Sequence, residues 1–164
     1  MTTTPKKKTT TTSVVKLPPN PFIHEILDYV DSQKTKPKKV QALQEHRDDS
    51  LTAILIWNFD DRVISSVPEG QVPYKENEVP VGTDHTSLRR EWKNLYHFIK
   101  GGNDTLSSLR RETMFIQMLE GLHPEEAKII CLVKDKNLTE KYKLTKEIVA
   151  AAFPDIAWGL HRGT

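Results

Sequence analysis

The chain has 164 residues, 28% charged and 37% hydrophobic, with three Trp and five Phe: the length of one domain, leaner in apolar residues than average but above the disordered range. No apolar run approaches the roughly 20 residues that cross a bilayer, and no apolar stretch of signal type follows the N-terminal lysines, so a soluble, cytoplasmic protein with no membrane partner is expected. Cys131 is the single cysteine, which excludes an intramolecular disulfide and a cysteine zinc cluster. Between Ile130 and Leu132 it reads as core filling.

Residues 1–20, MTTTPKKKTTTTSVVKLPPN, are rich in Thr, Lys and Pro and bury too little apolar surface to offset the entropy of ordering, so they read as a disordered arm. Residues 21–160 read as one all-α domain. Asn20 and Pro21 look like a helix cap and first-turn proline, followed by Phe22, Ile23, Ile26, Leu27 and Val30 at helical spacing. Thr35 and Pro37 repeat that signal for a second helix with a narrow apolar face at Val40 and Leu43. Ser50 looks like the cap of LTAILIWNFDD, which is apolar almost all round and is expected at the centre.

From Ser65 to Thr86 no period is sustained, and three prolines and two glycines mark a long loop, a candidate functional element. The prolines argue against β-pairing of residues 72–74 with 79–81. Helical spacing returns at Leu88, Trp92, Leu95, Tyr96 and Ile99 and stops at Gly101 and Gly102. Asn103 or Asp104 then caps a helix carrying Leu106, Leu109, Phe115, Ile116 and Leu119. His123, Pro124, Glu125 and Glu126 open a sixth helix, with cap, N1 proline and first-turn acids in order. Leu144, Ile148, Val149, Ala152 and Phe153 mark a seventh, stopped by Pro154. The expectation is a compact bundle of about seven helices.

The net charge of +2 hides a division: the arm carries Lys6, Lys7, Lys8 and Lys16 and no acid, leaving 20 basic against 22 acidic residues in the body. Basic residues cluster three times. Lys34, Lys36, Lys38, Lys39 and Arg47 face only Glu45; Arg89, Arg90, Lys93, Lys100, Arg110 and Arg111 face Glu91 and Asp104; Lys134, Lys136, Lys141, Lys143 and Lys146 face Asp135 and Glu140. On an α-helix Arg89, Lys93, His97 and Lys100 would form one stripe, suited to a row of phosphates. The candidate DNA contacts are therefore Lys36, Lys38, Lys39, Arg89, Arg90, Lys93, Lys100, Arg110, Lys134, Lys136, Lys141 and Lys143.

Enzymatic signatures are missing. No glycine-rich phosphate loop, H-E-x-x-H, G-x-S-x-G or metal-ligand spacing occurs. Asp48 with Asp49 and Asp60 with Asp61 read as capping or solvated acids, because neighbours on a helix point apart. No catalytic residue, metal or cofactor is expected, and the fold should form without one.

The order FIHEILDYVDSQKTKPKKVQALQEHRDDSL, then LYHFIKGG, then LVKDKNL followed by IVAAAFPDI resembles the N-terminal DNA-binding domain of ATP-dependent DNA ligases, especially those of T-even bacteriophages, over about residues 22–158. The resemblance implies a small T4-like phage protein that stands alone in an infected bacterial cell, is all-helical, and grips duplex DNA by backbone contacts without base reading. Ligases adenylylate the lysine of K-x-D-G; here Lys134 sits in KDKN, so the resemblance does not carry that activity over. In the turn after Leu138 the ligase domains place a glycine where this chain reads TEKYKLT. Two functions remain open: a non-catalytic DNA-binding accessory protein, or an adaptor that holds a phage or host replication or transcription protein without touching DNA.

Overall fold

A computed structural model describes residues 17–78, 86–156 and 158; residues 1–16, most of the expected arm, and 79–85, within the expected loop, lie outside the described residues. The described chain is all-α: α1 (Ile23–Asp31), α2 (Lys36–Glu45), α3 (Asp49–Phe59), α4 (Leu88–Glu91), α5 (Ser108–Gly121), α6 (Pro124–Lys134) and α7 (Lys146–Ala152), with two 3-10 helices, Trp92–Phe98 and Leu138–Glu140. Among the described residues the only β-type pairings are two isolated bridges, Ser65 with Ile99 and Thr86 with Leu122.

Helix α3 buries Leu51, Ile54, Leu55, Trp57 and Phe59, as its all-round apolar sequence requires. It packs on α6, which also meets α1 and α5, while α2 bridges α1 and α7. Leu144, Ile148, Val149, Ala152 and Phe153 are all buried, so the seventh helix buries the face its spacing marks.

Helix starts depart from the sequence in informative ways. Asn20 is not a cap; it adopts φ 54°, and α1 begins at Ile23. Its first N–H groups go to carboxylates instead: Phe22 N–H donates to Glu25 Oε1 at 2.8 Å and Ile23 N–H to Glu126 Oε2 at 2.8 Å. Asp48, not Ser50, caps α3 by accepting the Ser50 N–H at 2.9 Å. For α5 the cap is Ser107, accepting from Arg110 N–H at 3.2 Å, and Leu109, expected on the apolar face, is 78% exposed. Thr35 and His123 do cap α2 and α6.

The fourth expected helix is only one turn of α-helix before it tightens into the 3-10 helix Trp92–Phe98. At three residues per turn, Leu95 and Phe98 fall on one line and are buried, while Tyr96 turns outward and stays 46% exposed. Behind that turn, Gly101 has φ 86°, and a Cβ on Gly102 would stand 1.9 Å from the Tyr96 carbonyl oxygen. Only glycine allows this approach.

The described part of the long loop, 65–78, is tied down. Ser66 N–H donates to Phe98 O and Lys100 N–H to Ile64 O, each at 2.7 Å, and Lys75 N–H donates to Glu120 Oε2 at 2.9 Å. No strand forms at residues 72–74; Val72 and Tyr74 pack half-buried against the core.

Candidate functional site

The twelve candidate cations separate into those the fold consumes and those it leaves free. Three are consumed outright. Lys39 is buried on α2, and its ammonium donates to the Val30 and Asp31 carbonyls at 3.4 and 3.2 Å. It closes the C-terminus of α1, where carbonyls lack helical partners. The Lys134 side chain is fully buried, its Nζ donating to Pro68 O at 2.9 Å, Gly70 O at 2.8 Å and Asp135 Oδ1 at 2.7 Å. Lys136 donates to Trp57 O at 2.6 Å and Asp60 O at 2.9 Å, at the end of α3. Burial pushes its pKa down. Each of these three expected DNA contacts has acceptors for its ammonium within the protein, with Lys39 and Lys134 buried and Lys136 half-buried.

The KDKN turn thus has an architectural explanation. Asn137 N–H donates to Leu132 O at 2.8 Å and Lys136 N–H to Val133 O at 2.9 Å, the paired bonds of a Schellman cap, and Lys136 occupies its left-handed position at φ 59°. Glycine is usual there. A lysine brings an ammonium that caps a second helix.

Three more candidates are paired. Arg89 joins α4 to the starts of α1 and α3, donating to Pro21 O at 2.9 Å and Asp48 Oδ1 at 2.8 Å. Lys36 pairs with Glu147 at 2.9 Å and Lys141 with Glu125 at 3.2 Å. Both sit in open solvent, where such pairs contribute little and exchange readily. The predicted stripe of Arg89, Lys93, His97 and Lys100 does not exist as drawn. The 3-10 turn breaks its register, Arg89 points to Asp48, and His97 Nδ1 lies 2.9 Å from Asn103 Nδ2.

Lys38, Arg90, Lys93, Lys100, Arg110 and Lys143 are exposed. Lys38 and Lys143 lie in a neighbourhood shared with carboxylates. Lys143 N–H donates to Asp31 Oδ1, and the pairs Lys36–Glu147, Lys146–Asp61 and Arg47–Asp155 surround α2 and α7. Arg90, Lys93, Lys100 and Arg110 belong instead to one segment, residues 90–110, in which they outnumber two acids that keep their charge: Glu91 accepts from the Thr86 hydroxyl at 3.0 Å and Asp104 from Gly101 N–H at 3.0 Å. Arg111, buried, fastens this segment to α5 by donating to the carbonyls of His97, Asn103 and Leu106 at 2.8 to 3.0 Å.

Two features escaped the sequence reading. Glu126 is wholly buried and accepts from Ile23 N–H at 2.8 Å and Leu88 N–H at 2.9 Å, so one carboxylate serves the first turns of both α1 and α4. Burial pushes its pKa up, against the pull of those two donors. The second is a groove of about 290 Å³ beside the basic segment, lined by Ile56, Trp57, Val63, Trp92, Tyr96 and Ile99, with Lys93 as the one charged side chain in its lining. Among the described residues no group of His, Cys, Asp and Glu is placed to hold a metal ion, and no helix is long and apolar enough to cross a membrane. Asp48 and Asp60 are spent on a helix cap and on Arg62, whose guanidinium holds the Asp60 carboxyl below its usual range.

The fold is a small all-α domain, with exposed cations along the segment 90–110 and an aromatic groove that this segment helps to line. The chain belongs to a family of unknown function, DUF6433, whose model matches residues 26–140. That span holds the whole 90–110 segment and stops before α7. No curated protein and no solved structure matches the chain.

Proposed function

We propose that the protein is a non-catalytic accessory protein that binds duplex DNA through phosphate contacts without reading sequence, and that the contact surface is the segment 90–110. The observation that carries this reading is the concentration of Arg90, Lys93, Lys100 and Arg110 in one segment with only two acids, none of the four with a side-chain hydrogen bond or ion pair among the described residues. Isolated lysines and arginines on a surface meet phosphates, whereas base reading requires side chains seated in a groove. The resemblance to ligase DNA-binding domains supports the same reading and, with it, a phage origin. Lys134, in KDKN rather than the K-x-D-G of the ligases, donates to three acceptors within the protein.

The test is duplex binding as a function of salt. Four phosphate contacts give a slope of log affinity against log salt of about −3 to −4, with affinity on the order of micromolar or weaker at physiological salt. Replacing the four residues by Gln together should abolish most of that slope on unrelated sequences alike, while Lys38→Gln with Lys143→Gln should change it little. Wild-type duplex binding by the four-fold variant would sink the assignment and favour the adaptor function.

A further inference from the structure

The groove beside the basic segment is built for a different part of a nucleic acid than the cations are. Its lining is aromatic and aliphatic except for Lys93, whose ammonium lies 5.8 Å from the Trp92 ring centroid. Three large hydrophobic side chains are exposed among the described residues, and one of them, Tyr96, lines the groove. Tyr96 is also held in place. Its ring lies 4.0 Å from that of His97, His97 is fixed by Asn103, and the carbonyl of Tyr96 is backed by Gly102. An exposed, fixed aromatic ring next to unpaired cations is the chemistry that receives a base on its flat face and the adjoining phosphates on charge. Within a duplex those faces are occupied by neighbouring bases except at the two ends, so away from the ends only an unpaired nucleotide can use it.

We infer that the groove between α3 and the 3-10 helix Trp92–Phe98 takes an unpaired base of single-stranded DNA, stacked on Tyr96 and Trp92, with Lys93 and Lys100 on the flanking phosphates. This deepens the DNA-binding reading and rests on it. The site would let the protein hold a frayed or gapped duplex at its junction, with the charged segment on the paired side and the groove on the unpaired strand.

The experiment compares the full chain with its Tyr96→Ala variant on three probes: a thymidine oligomer, a blunt duplex, and a uridine oligomer. Tyr96 is half exposed, so the variant should keep its helical circular dichroism. Wild type should bind the thymidine oligomer with quenching of tryptophan fluorescence. In the variant this affinity should fall on the order of tenfold, while duplex affinity falls by much less and the salt slope, set by the cations, is retained. Equal losses on thymidine oligomer and duplex, or no loss on the oligomer, would overturn the stacking site and leave the duplex reading standing. Tighter wild-type binding of the uridine oligomer would overturn the assignment to DNA. If the four-fold Gln variant retains wild-type duplex affinity while Tyr96→Ala loses oligomer binding, the phosphate surface fails and the groove alone remains. If wild type binds neither oligomer nor duplex, both fall.

Discussion

The Lys134 ammonium donates to the carbonyl of Gly70 at 2.8 Å, across 64 residues of chain. With Pro68 O and Asp135 Oδ1 as its other partners, it pins the loop that begins at Ser65 to the end of α6. Truncating it to Ala removes the donor from two loop carbonyls and from Asp135 Oδ1, and removing one member of a charged pair whose ammonium is buried is expensive. Lys134→Ala should lower the unfolding free energy by about 3 kcal/mol in urea denaturation. The wild-type protein should gain no AMP mass with ATP, because this amine has no free approach.

Lys136 separates backbone strain from side-chain capping. Its φ of 59° favours glycine, and its ammonium closes the end of α3. Lys136→Ala keeps the strain and loses the cap, so it should be destabilised by about 2 kcal/mol. Lys136→Gly loses the same cap but relieves the backbone, and should recover about 1 kcal/mol of that. Equal midpoints for the two variants would show that the left-handed position carries no cost here.

Glu126 serves two helix starts with one carboxylate. Gln at this position keeps one acceptor oxygen and turns an NH2 group toward a backbone N–H, so Glu126→Gln should cost about 1 to 3 kcal/mol. Local exchange should show which start is affected: the amides of Ile23 and Leu88 should lose protection first.

His24 makes stability depend on pH. Its ring packs in a three-ring cluster with those of Phe22 and His123, at centroid distances of 5.5 and 4.7 Å, and burial pushes its pKa below the ordinary 6.5. Glu25, Asp28 and Glu125 oppose that shift, and Lys141 reinforces it. Because the unfolded chain takes up this proton first, the contribution is complete above pH 6.5 and is lost as pH falls from there toward the folded pKa. The melting temperature of wild type should fall over that window. A His24→Phe variant should show a flatter profile there.

Gly102 supports the exposed aromatic turn. Gly102→Ala drives a Cβ into the Tyr96 carbonyl, so the 3-10 helix must shift, at a cost of about 1 to 3 kcal/mol. The same change should weaken single-strand binding more than duplex binding, measured by fluorescence titration at a temperature where both proteins are folded.

The sequence by itself determined the all-α class, the starts of α2 and α6, and the buried faces of α1, α3 and α7, because caps, prolines and spacing act within a few residues and are written locally. It also placed the basic segments along the chain. What it left open was decided by contacts between distant parts. The turn from Trp92 to Phe98 looks α-helical at a spacing of 3.6 but is 3-10 in the structure, packed on α3 with Gly102 close against the Tyr96 carbonyl, and it carries Tyr96 outward and Phe98 inward. Lys39, Lys134 and Lys136 look in sequence like Lys93 and Lys100. A lysine stem is long enough to reach whichever carbonyls the fold leaves unpaired nearby, so its role as internal cap or surface charge follows from which helix ends are brought within its reach, and only the packed structure settles that.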